Sequence, residues 1–498
     1  MMNEGLHMNQ ALPLFVAIPL GAAFLIPILV RVWRRLPDIV GNLSTLSLLV
    51  MSLTLVGKGP STYYMGGWRP PLGINLVADG LSVLLLVVVS LVAFCATLFS
   101  IPYMERYTSK SRYYSLFMLM VAGMNGVVLT GDMFNLYVFL EIASIASYAL
   151  VAFGTEAEEL EASFKYMIMG CVASTFVLFG VGVLYGKTGT LNMAHLAKII
   201  DENGMSPAIW FAAALFLMGF GLKAAMVPFH AWLPDAHPSA PAPISAMLSG
   251  VLIKSLGIYS LARVSYIVFG MSKPISTIFM VLGGLSMIVG VLLAVGQWDM
   301  KRLFAYHSIS QMGYVMLGLG LGTPLGILGG VFHLLNHSAF KSCLFLCSGA
   351  IEHEVGTREL KKMGGLWRRM PVTSTSCVIS SLSISGVPPF NGFWSKLIII
   401  VAAIQARHYV AATIAVVVAF LTLTSFTKVM RYAIFGSPAA ESQKVKEASA
   451  FMGVALILLA LCCTSFGLLY PVLKPWILGP AVDVLLKAGD YIQLVLGG

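Results

Sequence analysis

The sequence predicts an all-α polytopic membrane protein with about fourteen transmembrane helices, two inverted five-helix repeats, and breaks in helices 7 and 12. Three observations carry that prediction. Hydrophobic residues make up 58% of the 498-residue chain and charged residues only 10%, where an average soluble domain carries roughly 25% charged. With a mean hydropathy of +0.87, too little polar surface is left to cover a water-soluble globule. Apolar runs of about 20 residues, enough to cross a ~30 Å hydrocarbon core, recur along the whole chain, and lysines inside them recur at a nearly constant spacing.

The first run, Leu12 to Val30, ends in Arg31, Arg34 and Arg35. It reads as a first span with a stop signal and not as a cleaved leader; Met1 to Gln10, ahead of it, carries only Glu4. The next spans are expected at 39–57, 78–101, 113–130, 133–153, 163–185, 208–227, 240–263, 275–296, 303–321, 325–350, 372–406 with a break, 409–435 and 449–470. The tail after Pro471 mixes apolar residues with Lys474, Asp483, Lys487 and Asp490 and reads as an interfacial helix, with a fifteenth span as the alternative. The longest polar stretches, 185–206, 351–371 and 436–448, are too short for a Rossmann unit, a kinase lobe or a cluster-binding domain. No separate soluble catalytic domain is expected.

The net charge of +10 is read as loop bases that orient the chain, not as a nucleic-acid surface. Loops after odd-numbered spans hold sixteen Lys and Arg and the other side nine. The odd loops are therefore expected in the cytoplasm of a plasma-membrane protein, with both termini on the extracytoplasmic side. The acidic loop with Glu156, Glu158, Glu159 and Glu161 does not overturn this, because acidic residues weigh little in the rule.

Six lysines lie inside apolar spans: Lys165, Lys223, Lys254, Lys341, Lys396 and Lys428. Each costs at least about 2.5–3.5 kcal/mol at the bilayer centre, so together they argue for an internal polar path. Snorkelling from a helix end is the competing reading, strongest for Lys165 and Lys428. The pairs Lys165/Lys341, Lys223/Lys396 and Lys254/Lys428 are 176, 173 and 174 residues apart, and Ser163-Phe164-Lys165 echoes Ala339-Phe340-Lys341. The offset spans five helices, and an odd offset inverts the second copy. The expected units are 1–112 (helices 1–3), 113–264 (first repeat, helices 4–8), 265–436 (second repeat, helices 9–13) and 437–498 (helix 14 and tail). Span 7 runs into Pro228, Pro234, Pro238, Pro241 and Pro243, and span 12 is interrupted at Gly386 to Gly392. Proline removes a donor, and the freed backbone must face protein or water.

Polar residues cluster on particular faces. Glu141, Ser144 and Tyr148 share one face of span 5 by their spacing. Span 10 presents His307, Ser310, Gln311 and Tyr314, span 11 presents His333, Asn336, His337 and Lys341, and span 13 presents Thr424, Ser425 and Lys428. His333 and His337 are four apart, as zinc ligands can be, but no third ligand accompanies them, and proton-passing imidazoles fit the lysines better. The seven cysteines form no C-x2-C pair. Gly186-Lys187-Thr188 lacks the first glycine of a phosphate-binding loop, because position 181 is Val181, and His353-Glu354 lacks a second histidine at Thr357. Neither a metal nor a cofactor is expected in this chain.

The runs Thr130 to Glu141, Lys223 through His230-Ala-Trp232-Leu-Pro234-Asp235-Ala-His-Pro238, and His337-Ser-Ala-Phe-Lys341 resemble the antiporter-like membrane subunits. These are the A-type and D-type subunits of Mrp-type cation/proton antiporters, the proton-pumping membrane subunits of respiratory complex I, and counterparts in membrane-bound hydrogenases. The resemblance covers nearly the whole chain. It implies fourteen helices, two inverted repeats, broken helices 7 and 12, and ion translocation through Glu141, Lys223, Lys254, His333, His337 and Lys396; the remaining intramembrane polar residues Lys165, His307, Lys341 and Lys428 are secondary candidates from the residue pattern alone. One complex I subunit type has glutamate where this chain has Lys396, which argues against that type. Gly66 to Asp79 and the Glu141 segment look closest to the D-type Mrp subunits, whereas the proline-rich segment at 228–243 looks as close to hydrogenase and complex I subunits. Expected partners are the other membrane subunits of such a complex, the bilayer and protons, with sodium/proton antiport also open. Any oxidoreductase activity would belong to those partners. A self-sufficient antiporter and a structural membrane anchor are the competing readings; transport by the chain alone, and neutralisation of Lys254 without loss of ion movement, would respectively favour them.

Overall fold

The structure is a computed structural model and describes residues 10–107, 109–437 and 445–497. Glu4, and Lys444 among the sixteen odd-loop bases counted above, lie outside the described residues. The chain is almost entirely helical. The helices are α1 (Leu14–Leu29), α2 (Leu36–Leu55), α3 (Gly80–Tyr103), α4 (Lys110–Leu129), α5 (Met133–Val151), α6 (Ala157–Thr188), α7 (Met193–Asn203) and α8 (Pro207–Lys223). They continue with α9 (Leu233–Ser239), α10 (Ala242–Val268), α11 (Lys273–Val295), α12 (Met300–Gly320), α13 (Pro324–Val355), α14 (Pro371–Ser385), α15 (Asn391–Gln405), α16 (Tyr409–Ile434), α17 (Ala450–Leu468), α18 (Gly479–Leu486) and α19 (Ala488–Leu496).

Among the described residues nine helices are long and apolar enough to cross a membrane, and α1, α8 and α15 are shorter apolar helices. This is a multi-pass membrane protein. Helices α12 and α13 are as long as the spanning helices but more polar, because they carry His307, Gln311, His333, Asn336, His337 and Lys341. They can do so because neighbours surround them: both are buried over nearly their whole length, α12 against α11 and α13, and α13 against α10, α14 and α15. Lipid-facing apolar side chains gather instead on α6, α11 and α16, for example Phe164, Leu292 and Phe420.

Helix starts are set by short polar side chains that accept otherwise unpaired backbone N–H groups. Asp79 accepts from Ser82 at 2.9 Å, Asp132 from Asn135 at 2.8 Å and Asp299 from Arg302 at 2.8 Å. Glu156 and Glu159 close a reciprocal cap on α6.

Two sequence expectations need correction. The chain is not purely α: β1 (Ser61–Tyr64) and β2 (Asn75–Ala78) form an antiparallel pair with Ser61 opposite Ala78. At four residues each, these strands are too short to show a period of two. Helix α10 continues to Val268, five residues past the expected boundary, so Arg263 is a buried helix residue and not a loop base. The tail winds as helix from Tyr470 to Leu486, with π form over Lys474–Leu478, and after Lys487 continues as α19; neither stretch is among the helices long and apolar enough to span. The tail docks on the hairpin, where Tyr64 donates to the Val495 carbonyl at 3.0 Å.

Candidate functional site

Helix α8 ends at Lys223, and the chain turns through Ala225, whose φ of 53° is left-handed. Proline at 228 forbids helical continuation, and two groups of the break are satisfied by side chains: Trp232 donates to the Leu222 carbonyl at 3.2 Å and Ser286 accepts from the Val227 N–H at 3.0 Å. The Lys223 Nζ is buried. It donates to Ser144 Oγ at 2.8 Å and Tyr148 Oη at 3.2 Å, and lies 3.9 Å from Glu141 Oε1. The face predicted on span 5 is thus the face that meets Lys223. Glu141 also accepts from the Ser174 hydroxyl, and 24% of its side chain is exposed. The pair therefore lies at the outer edge of the bundle, between α5 and α6. Behind it Tyr148 meets Tyr166 edge-on at 4.6 Å, and Tyr166 stacks on Trp232 at 4.3 Å.

Lys254 is fully buried at the middle of α10, where the winding widens to a π-helix over Leu248–Tyr259. Such widening is frequent at functional sites because it disturbs the regular carbonyl partners. Nζ donates to the Ser249 carbonyl at 2.6 Å and to that of Gly250. Ser249 Oγ in turn meets Ser308 Oγ at 2.7 Å, next to His307, and Ser342 Oγ of α13 donates to the Ala246 carbonyl at 3.2 Å. Helix α10 thus makes polar contacts with both α12 and α13 on the N-terminal side of Lys254.

On α13 the His333 ring bridges Ser395 at 2.9 Å and Gln311 at 3.2 Å. His337, one turn on, is buried, and neither ring nitrogen has a partner among the described residues; the same holds for His307, whose ring packs on Phe426 at 4.9 Å. Lys341 donates to the Phe304 carbonyl between the rings of Phe304 and Phe345. Lys396 on α15 donates to the Ile384 carbonyl at 2.7 Å and sits over the Tyr314 ring at 4.9 Å. That carbonyl belongs to the last turn of α14, where a cation is favoured. Gly386 turns the chain at φ 80°, a conformation suited to glycine. Lys223 precedes its break and Lys396 follows its own, although both lie beside one.

Two secondary candidates lie apart from this interior path. Lys165 is half exposed at the start of α6 and pairs with Glu161 at 2.7 Å and Asp235 at 3.0 Å. Lys428 is partly exposed and donates to the Val295 carbonyl at 2.8 Å and to that of Gln297 at 2.5 Å.

Two buried ion pairs escaped the sequence reading. Arg263 forks onto Asp79, with Nη2 to Oδ1 at 2.9 Å, and also bonds Ser82 and Tyr259. Lys301 meets Glu352 at 2.7 Å, and Arg358 links Glu352 to Asp299 at 3.7 and 3.2 Å. Glu352 is in the last turns of α13, beyond the apolar 325–350 stretch. Burial opposes its ionisation, but Lys301 and Arg358 outweigh burial and hold its carboxyl below the ordinary value of 4.5. Both arginine and lysine had been assigned to loops, so no signal marked them as interior; only the extra turns of α10 and the packing of α12 against α9 bring them in.

A family model described as "NADH:quinone oxidoreductase/Mrp antiporter, TM" matches residues 130–422, and one described as "NADH-Ubiquinone oxidoreductase (complex I), chain 5 N-terminus" matches 70–114. The N-type subunit of the NADH-quinone oxidoreductase of Desulforudis audaxviator is 38% identical over 439 residues, 86% of this chain and 87% of that protein. The D-type subunit of the Na(+)/H(+) antiporter of Alkalihalophilus pseudofirmus is 36% identical over 458 residues, 91% of each. A chain in the structure of the Mrp complex from Dietzia sp. superposes with a TM-score of 0.92 at 32% identity, covering 98% of this chain and 99% of that one.

Proposed function

Because this chain belongs to the NADH:quinone oxidoreductase/Mrp antiporter membrane family, we propose that it is the ion-translocating membrane subunit of a multisubunit complex. Protons pass between Lys223, Lys254, His337, His333 and Lys396, with Glu141 controlling the first of them and Lys341 and His307 flanking the path. One observation carries this reading. Five lysines are buried in the bundle; Lys223 and Lys301 have a carboxylate within 4 Å, whereas Lys254, Lys341 and Lys396 have none among the described residues. Burying unpaired ammonium groups is costly, and a proton relay is a function that requires such groups.

In this reading the chain crosses the membrane fourteen times, with spans 7 and 12 broken. The near-constant lysine spacing supports inverted repeats over 113–264 and 265–436, flanked by 1–112 and 437–498. The excess of bases in odd loops supports both termini outside a plasma membrane; moving Arg263 and Lys301 out of the loops removes one base from each side and leaves the sign unchanged. Partners are other membrane subunits, as in the multisubunit Mrp complex that holds the similar chain.

The test is the assembled complex, co-expressed from its neighbouring genes and reconstituted into vesicles with a pH-sensitive dye. Lys254→Met should assemble and fail to move protons. A normal rate from that variant would refute the proposal, and transport by the chain alone would replace it with the self-sufficient antiporter. The similarity to an Na(+)/H(+) antiporter chain favours a second reading, sodium/proton antiport, in which proton movement requires sodium on the opposite side.

A further inference from the structure

At one end of α16 an open cleft of about 760 Å³ is lined by Lys361, Thr427, Arg431, Tyr432, Phe435 and Ser437. We infer that this cleft binds the headgroup of an anionic phospholipid. The inference rests on the cleft and its surface and does not depend on ion translocation.

Lys361 and Arg431 are exposed, and neither has a carboxylate within 4 Å among the described residues. Two more exposed bases, Arg368 and Arg369, follow on the same connecting segment. The cleft is therefore a cationic site with the hydroxyls of Thr427 and Ser437 in its lining. A phosphate is the anion that uses such a set, since guanidinium and ammonium bind its oxygens directly.

The surface leading to the cleft identifies the source of that phosphate. Phe420 is 67% exposed, and Thr424, Thr427 and Arg431 follow it at helical spacing along α16, all exposed. One helix face thus runs from an acyl-compatible apolar surface through two hydroxyls to a cation, the polarity order of a phospholipid from chain to headgroup. Aromatic rings frame the polar end, as they do at a membrane–water boundary. Trp298 lies between Lys361 at 4.4 Å and Lys428 at 4.9 Å and meets Tyr432 edge-on at 5.2 Å. Trp367 packs on Phe435 at 5.2 Å. A soluble phosphate compound would use the cations but not this stripe. Basic pockets between helices on the cytoplasmic side are suited to anionic headgroups, and the excess of bases assigns these loops to that side.

The experiment uses the intact complex in detergent, with native mass spectrometry against added phosphatidylglycerol, phosphatidylcholine and inorganic phosphate. Phosphatidylglycerol should bind in preference to phosphatidylcholine and should not be displaced by inorganic phosphate at equal concentration. Each cation is worth about fivefold, so Lys361→Gln with Arg431→Gln should weaken that binding roughly 30-fold, and Lys361→Arg with Arg431→Lys should restore most of it. Both residues are exposed, and equal yields of assembled complex verify folding. Equal retention of the two lipids, unchanged binding in the double Gln variant, displacement by inorganic phosphate, or a partner subunit cross-linked into the cleft through Thr427→Cys would each overturn the assignment.

Discussion

Glu141→Gln separates a working ion pair from a structural one. Glu141 Oε1 and Lys223 Nζ are 3.9 Å apart, with the lysine buried and the carboxylate 24% exposed. Partial exposure calls for an effective dielectric near 20, at which two unit charges at this distance attract by about 4 kcal/mol. Removing the carboxylate charge therefore loosens the hold on the ammonium by roughly a thousandfold. Glutamine keeps the size and can still accept from Ser174, while Ser144 at 2.8 Å and Tyr148 at 3.2 Å continue to accept from Lys223. The packing should survive, so the complex should assemble in normal yield on a native gel. Proton movement in reconstituted vesicles should fall to background, because the charge that loads and releases Lys223 is gone. Were the pair a static strut, the result would be reversed: low yield, with residual complex transporting normally, since breaking a buried pair leaves an uncompensated charge. Near-normal transport by assembled Glu141→Gln complex would refute the switching argument.

Lys396→Ala should abolish translocation in an assembled complex, because it removes the proton-carrying ammonium that sits at the span-12 break against the Ile384 carbonyl; full activity would exclude Lys396 from the path. Arg263→Ala leaves Asp79 buried and unpaired and should cost about 3–5 kcal/mol, read as a lower thermal unfolding temperature with transport per assembled complex unchanged. Gly392 lies so close to the Ser383 carbonyl that a methyl group would collide with backbone, so Gly392→Ala should disturb the break and lower both yield and transport. The depressed Glu352 carboxyl contributes stability that is fully present above its unfolded value near 4.5 and is lost as pH falls through its lower folded value; Glu352→Gln should flatten that acid limb in a pH series of unfolding temperatures.

The sequence by itself determined the membrane class, the position of nearly every helix and both breaks, because hydrophobic runs, prolines and charged stops act locally along the chain. It also singled out Glu141, Lys223, Lys254, His333, His337 and Lys396, since a charge or imidazole inside an apolar run is conspicuous wherever it later packs. Partners were a different matter. That Lys223 meets Ser144 and Tyr148 depends on contacts between segments far apart in sequence, and that Lys254 turns back on its own π-wound carbonyls and Lys396 caps the other half of its broken span depends on the backbone path the packed helices take. Snorkelling was the stronger competing reading for Lys165, and the packed bundle leaves it half exposed on an ion-pair cluster while Lys254 is fully buried. Asp79–Arg263 and Lys301–Glu352 were invisible for the opposite reason: at span ends such residues look like ordinary loop charges. Burial is a property of what surrounds a side chain in three dimensions, and only the packed bundle decides it.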